Sequence, residues 1–125
     1  MTLPTVTLDD LKKCDIRVGI IRFVEPVEGA DKLLRCLIEL GEDVMTEEYT
    51  DAEGVIYKVR QIVSGIKPYF PEYEKLVGQS ALYIVNLEPR TIKGVQSNGM
   101  LLAVGDNDCV LLQPHKPVVG GSAIH

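Results

Sequence analysis

The pattern that most constrains this chain is a series of short apolar runs of period two, each closed by glycine or proline. Alternation sends successive side chains to opposite faces, so it specifies strands with one buried face and leaves little room for amphipathic helices. Residues 15–24 alternate Ile16, Val18 and Ile20 with Arg17 and Gly19, and the glycine inside this run predicts a bend or a close backbone approach. Residues 33–40 place Leu34, Cys36, Ile38 and Leu40 on one face and Arg35 and Glu39 on the other. A third strand starts near Val55, alternates Lys58 and Arg60 with Tyr57 and Val59, and ends near Ser64-Gly65. Residues 81–85 and 100–104 are continuous apolar strands, and residues 109–112 form a last short one.

Helical signals are few. Thr7-Leu8-Asp9-Asp10 has the form of a helix start, with Thr7 as cap and two acids at the positive end of the dipole, and this helix ends near Cys14. Residues 73–78, entered after Pro71 and left at Gly78, make one or two helical turns. Three strands, a short helix and two strands are the order of an all-β fold, the five-stranded oligonucleotide-binding barrel. The expectation is one domain over residues 1–125, with the barrel at about 15–105 and flanking extensions at 1–14 and 106–125.

Composition excludes several function classes. No apolar run is long enough to span a bilayer, and residues 1–10 have no basic region followed by an apolar block, which points to a cytoplasmic protein. Cys14, Cys36 and Cys109 are odd in number and far apart, as expected of reduced thiols rather than of disulfides or a zinc site. The two histidines, His115 and His125, both lie in the C-terminal tail, so no nucleophile–base pair suggests itself. No catalytic residue, metal site or cofactor is expected.

The net charge of −5 argues against nucleic acid, but it is unevenly placed. Residues 42–57 hold six acids and no Lys or Arg, and the remainder carries 13 bases against 12 acids. The acidic block reads as a long hairpin turning at Asp51-Ala52-Glu53-Gly54. Between the last two barrel strands lies a polar loop, residues 88–98, in which Arg90 and Lys93 supply charge for phosphates. Gln96, Ser97 and Asn98 supply neutral donors and acceptors for sugars or base edges. A plain solvent-exposed turn hinged at Gly94 and Gly99 explains the same residues.

Asp15-Ile16-Arg17-Val18-Gly19, Ala30-Asp31-Lys32-Leu33, Ser64-Gly65-Ile66, Asn86-Leu87 with Pro89, Lys93-Gly94 and the run from Ser97-Asn98-Gly99-Met100 to Ala103 occur in order. This set resembles the tRNA-binding domain family. That family includes the C-terminal domain of bacterial methionyl-tRNA synthetase, endothelial monocyte-activating polypeptide II, free-standing tRNA-binding proteins and CsaA-type secretion chaperones. The resemblance implies a non-catalytic module that recognises tRNA by shape near the outer corner of its folded L. It also implies a homodimer formed through the flanking segments, and an aminoacyl-tRNA synthetase as a further partner. It carries a binding role onto Lys32, Ser64, Asn86, Lys93, Ser97, Asn98 and Met100, to which the strand and loop reading adds Arg17, Arg60 and Arg90. Met100 reads equally as a barrel plug. Two departures stand out: the acidic hairpin exceeds the family's usual short connection, and no synthetase catalytic region accompanies the module. The alternative function is a CsaA-type chaperone binding unfolded or exported polypeptides.

Overall fold

The computed structural model describes residues 1–125. It is mostly β. The elements are α1 (Leu8–Lys12), β1 (Ile16–Val27), β2 (Ala30–Glu39), β3 (Glu47–Thr50), β4 (Ile56–Ser64), β5 (Ser80–Ile84), β6 (Arg90–Ile92), β7 (Val95–Ser97), β8 (Met100–Val104) and β9 (Val110–Leu111). Short 3-10 turns cover Glu42–Val44, Lys67–Tyr69 and Tyr73–Leu76. Seven strands form one antiparallel sheet in the order β3-β4-β2-β1-β5-β8-β9, and β6 and β7 form a separate hairpin.

The long β1 organises the sheet. Its first half, Ile16 to Ile20, pairs with β5, and its second half, Ile20 to Val27, pairs with β2. Register irregularities between Ile21 and Phe23 and between Pro26 and Val27 bend the strand, so the sheet coils around one core. Gly19 permits the tightest part of that coil. A Cβ there would lie 2.5 Å from Ile38 Cγ2, 2.8 Å from Leu40 Cδ2 and 2.9 Å from Tyr83 Cδ2. These neighbours belong to the main core, so Gly19 and Ile21 face inward. The alternation in β1 is therefore set on the opposite face from the obvious apolar one. Val18 is buried on the other side, where its N–H donates to Ser122 O and its carbonyl accepts from Gly121 N. The C-terminal tail pairs along this edge of β1.

In β2 the expected face holds: Leu34, Cys36, Ile38 and Leu40 all lie in the main core with Ile62, Leu76, Ala81, Tyr83 and Val85. Burial pushes the Cys36 thiol up to about 12, and all three cysteines are free. The barrel expectation needs correction. No hydrogen-bonded ladder closes the sheet, because β3 and β9 are both edges. The coil is instead stitched by a few bonds from the segment after β7: Asn98 N donates to Gln61 O at 2.9 Å, and Ser97 Oγ accepts from Val63 N at 3.0 Å.

The flanks are ordered. Thr7 and Asp10 form a reciprocal capping box on α1, and burial of the helix is nil. The tail runs antiparallel to the start of β1, with Arg17 opposite Ala123 and Ile124 N donating to Ile16 O.

Candidate nucleic-acid interface

The polar loop after β5 is a built element. Ile92 and Val95 directly flank the turn on either side and pack on a small cluster of Val27, Ala30 and Val63. This folds the β6–β7 hairpin over the outer side of the sheet. The turn itself is Lys93-Gly94, both with positive φ (50° and 81°), the conformation that suits a two-residue hairpin. Gln61 Nε2 donates to Gln96 O at 2.8 Å, and the Ser97 hydroxyl holds the base of the hairpin on β4.

A shallow groove results between this hairpin, β8 and the end of β4. It consists of two adjoining hollows of about 310 and 340 Å³ that share Arg90 and Met100. Its floor is apolar, from Leu33, Ile66, Ile92 and Leu101, and Ser64 lies among them. Arg90 lines both hollows, and Lys32, Lys67 and Lys93 each stand next in sequence to a floor residue. None of these four cations is in an ion pair, whereas Lys13, Arg17, Arg22, Arg35, Lys58 and Lys75 all are. One carboxylate, Glu88, lines the outer hollow.

The ten residues singled out from sequence divide sharply here. Ser64, Arg90 and Met100 line the groove, Lys32 and Lys93 are next in sequence to residues that do, and Met100 is 42% exposed, not a plug. The other five make contacts that hold the fold. Arg17 is held by Asp15 and by a two-pronged contact with Asp43 (2.8 and 2.9 Å), and it also donates to Leu40 O. These carboxylates raise the Arg17 pKa above its ordinary value, Asp43 most, so its charge is already matched. Arg60 donates to the carbonyls of Asn98 (2.5 Å), Val44 (2.6 Å) and Val85 (3.4 Å), and burial lowers its pKa. Asn86 clamps the chain before β1, accepting from Asp15 N at 2.8 Å and donating to Lys13 O at 2.7 Å. Ser97 is 2% exposed and Asn98 donates to Gln61 O, so both of these neutral groups close the coil. Lys67 was missed by sequence reasoning. It follows the Ser64-Gly65-Ile66 run and begins a 3-10 turn that packs against β2, next to Ile66 of the groove floor.

The acidic hairpin lies elsewhere. Tyr49 of β3 stacks on Phe23 with ring centroids 5.3 Å apart, and the Arg22 guanidinium lies 4.3 Å over Tyr57. Its turn, where Asp51 Oδ1 accepts from Glu53 N and Val55 N, is at the start of β4, while the groove is at its end.

Residues 16–123 match the family described as "Putative tRNA binding domain". The chain belongs to this tRNA-binding domain family. A methionine–tRNA ligase of Methanocella arvoryzae is 42% identical to it over 123 residues, which are 98% of the chain and 16% of that protein. The domain thus spans about one sixth of the length of this relative. The tRNA-binding domain also superposes on the MetRS-related protein from Pyrococcus horikoshii with a TM-score of 0.78, covering 98% of the chain and 100% of the other at 24% identity, a likeness of fold. The CsaA chaperone protein from Picrophilus torridus superposes with a TM-score of 0.74 at 27% identity, covering 97% and 100%. The family is one of binding modules, and no group of three or more His, Cys, Asp or Glu side chains is placed to hold a metal. No helix is long and apolar enough to cross a membrane.

Proposed function

We propose that this chain is a cytoplasmic tRNA-binding module whose coiled sheet works as an oligonucleotide-binding barrel, and that it serves as an accessory subunit of a methionyl-tRNA synthetase. The observation that carries the reading is Arg90, in no ion pair and lining both hollows of one groove, with Lys32, Lys67 and Lys93, also in no ion pair, next in sequence to its floor residues. Phosphates supply the missing counter-charge, and the groove lies on the sheet and loop side where barrels of this kind take nucleic acid. The likeness to methionine–tRNA ligase over nearly the whole chain supports the synthetase connection. Lys32, Arg90, Lys93 and Lys67 contact phosphates, and Ser64 and Met100 meet sugar or base. The exposed apolar residues of the N-terminal segment, with Leu8 64% and Leu11 56% exposed, support a homodimer.

The test is tRNA binding measured by anisotropy between about 50 and 200 mM salt. Binding that weakens steeply with salt, and weakens further when the four cations are replaced by glutamine, supports the reading; no binding at low salt overturns it. A second reading, binding of unfolded polypeptides, is favoured by the likeness to a CsaA chaperone. It gains if suppression of a client's aggregation survives those same four substitutions.

A further inference from the structure

The groove is more than a strip of positive charge. Its floor offers the side chains of Leu33, Ile66, Ile92 and Leu101, and Met100 projects at the point where its two hollows meet. Phosphate contacts alone need no apolar floor, because an A-form duplex presents a charged backbone and a shallow groove to its reader. A nucleobase has two apolar faces and a polar edge, and it offers those faces only when unstacked. The hollows, at about 310 and 340 Å³, reach the smallest volumes typical of small-molecule sites. The Ser64 hydroxyl lies in the inner hollow and is bonded to no protein group, so it is free to meet a polar edge. No aromatic ring lines either hollow: Phe23, Tyr49 and Tyr57 are at the opposite end of β4, and Tyr83 is buried in the core. The exposed side chains suited to the face of a base are the thioether of Met100 and the guanidinium plane of Arg90.

We propose that this groove takes at least one unpaired, unstacked base of the bound RNA, seated on Met100 with its edge toward Ser64, while Arg90 and Lys93 hold the flanking phosphates. The inference rests on the tRNA reading and adds to recognition by shape a pocket for an extruded nucleotide. A polypeptide side chain would fill the same apolar floor but gives no reason for four unpaired cations around it, so the nucleotide is favoured.

Two measurements on the full chain decide it. Met100→Ala should lower tRNA affinity about twofold to tenfold, the range of sulfur–ring contacts, with no change in salt slope. Because Met100 is exposed, the variant should keep its unfolding midpoint. Separately, tRNA transcripts carrying 4-thiouridine or 6-thioguanosine should photocross-link through the base to the tryptic peptide of residues 94–125, at or beside Met100. If tRNA binds with its full salt dependence but Met100→Ala is silent and base cross-links fall elsewhere, the base pocket is overturned and the tRNA reading stands. Absence of tRNA binding overturns both. If reduced, carboxymethylated α-lactalbumin displaces tRNA and protects Met100 from oxidation as well as tRNA does, the floor belongs to polypeptides and the proposal fails.

Discussion

Arg90 and Lys93 carry charge that no carboxylate offsets, so their loss should be read in salt dependence. Each phosphate contact contributes roughly 0.7–0.9 to the slope of log affinity against log salt. Lys93→Gln should therefore weaken binding to all tRNAs alike and reduce the slope by about one contact, as titrations at several salt concentrations will show. Ser97 behaves differently. Removing its hydroxyl leaves Val63 N–H without an acceptor in the interior, which costs about 1–3 kcal/mol. Ser97→Ala should lower the urea midpoint while the folded fraction keeps its affinity. Gln96, Ser97 and Asn98 look alike in sequence, a polar run beside a glycine. What separates them is a partner more than thirty residues away on β4, and no local pattern carries that. The Arg17–Asp43 contact gives a pH signature. The Arg17 hydrogen bond lowers the Asp43 carboxyl below its ordinary value, against a small opposing effect of burial. A depressed folded-state value contributes stability that is complete above the unfolded aspartate value of about 3.9 and is lost as pH falls through the folded one. Urea midpoints followed on acidification below about pH 4 should show this step in the native chain and lack it in Asp43→Asn.

At the level of elements, β2 was legible because Leu34, Cys36, Ile38 and Leu40 keep one face in the core, and β4 because it alternates from Tyr57 to Arg60 before Ile62 and Val63 bury opposite faces. The β6–β7 hairpin was not. Its strands have three residues each, and its turn is Lys-Gly, where the familiar hairpin signal is Asn-Gly or Asp-Gly. The face of β1 misled for another reason: Val18 is buried as well as Ile21, so apolar side chains occupy both faces and alternation does not tell them apart. Placing the acidic hairpin required the fold. The sequence left open that its charge flanks the ligand, but along β4 the hairpin turn lies about 26 Å from the groove, and Glu47, opposite Val59, about 17 Å, at ~3.3 Å per residue. Those distances are about two to three Debye lengths at physiological salt. Replacing Glu47, Glu48, Asp51 and Glu53 with the neutral amides should leave tRNA affinity within about twofold near 0.15 M salt, where the screening length is about 8 Å. A large gain in affinity would place the RNA path along the acidic hairpin.

For the molecule as a whole, Lys32, Lys67, Arg90 and Lys93 stand toward one end of β4, with the unpaired Glu28, Asp31 and Glu88 near them, and the unpaired acids Glu47, Glu48, Asp51 and Glu53 stand toward the other. An approaching polyanion is thereby oriented before contact. The exposed Leu8 and Leu11 belong to neither end. Because α1 buries nothing within the chain, Leu8→Gln with Leu11→Gln should leave the unfolding midpoint unchanged. If the proposed homodimer uses this segment, the double variant should sediment as a monomer at concentrations where the native chain is a dimer. A native chain that is itself monomeric at micromolar concentration removes the dimer from the proposal. Truncation after Asp108 is the poorer experiment, since it also strips the tail from β1.

The tail's pairing with β1 has a consequence for how such a unit can be wired. Ile124 donates to Ile16, while Asn86 pins the backbone at Lys13 and Asp15, so the polypeptide enters and leaves the sheet at neighbouring points. The inner hollow lies by the opposite end of β1, near Val27 and Ala30, whereas the outer one, at Leu87 and Met100, lies beside the Asn86 clamp. With both ends leaving at neighbouring points, the unit can be grafted at its head, at its tail or inside a host loop. The same adjacency makes it suited to circular permutation: a short linker can join the old ends, and the exposed turn at residues 52–54 offers a place for new ones.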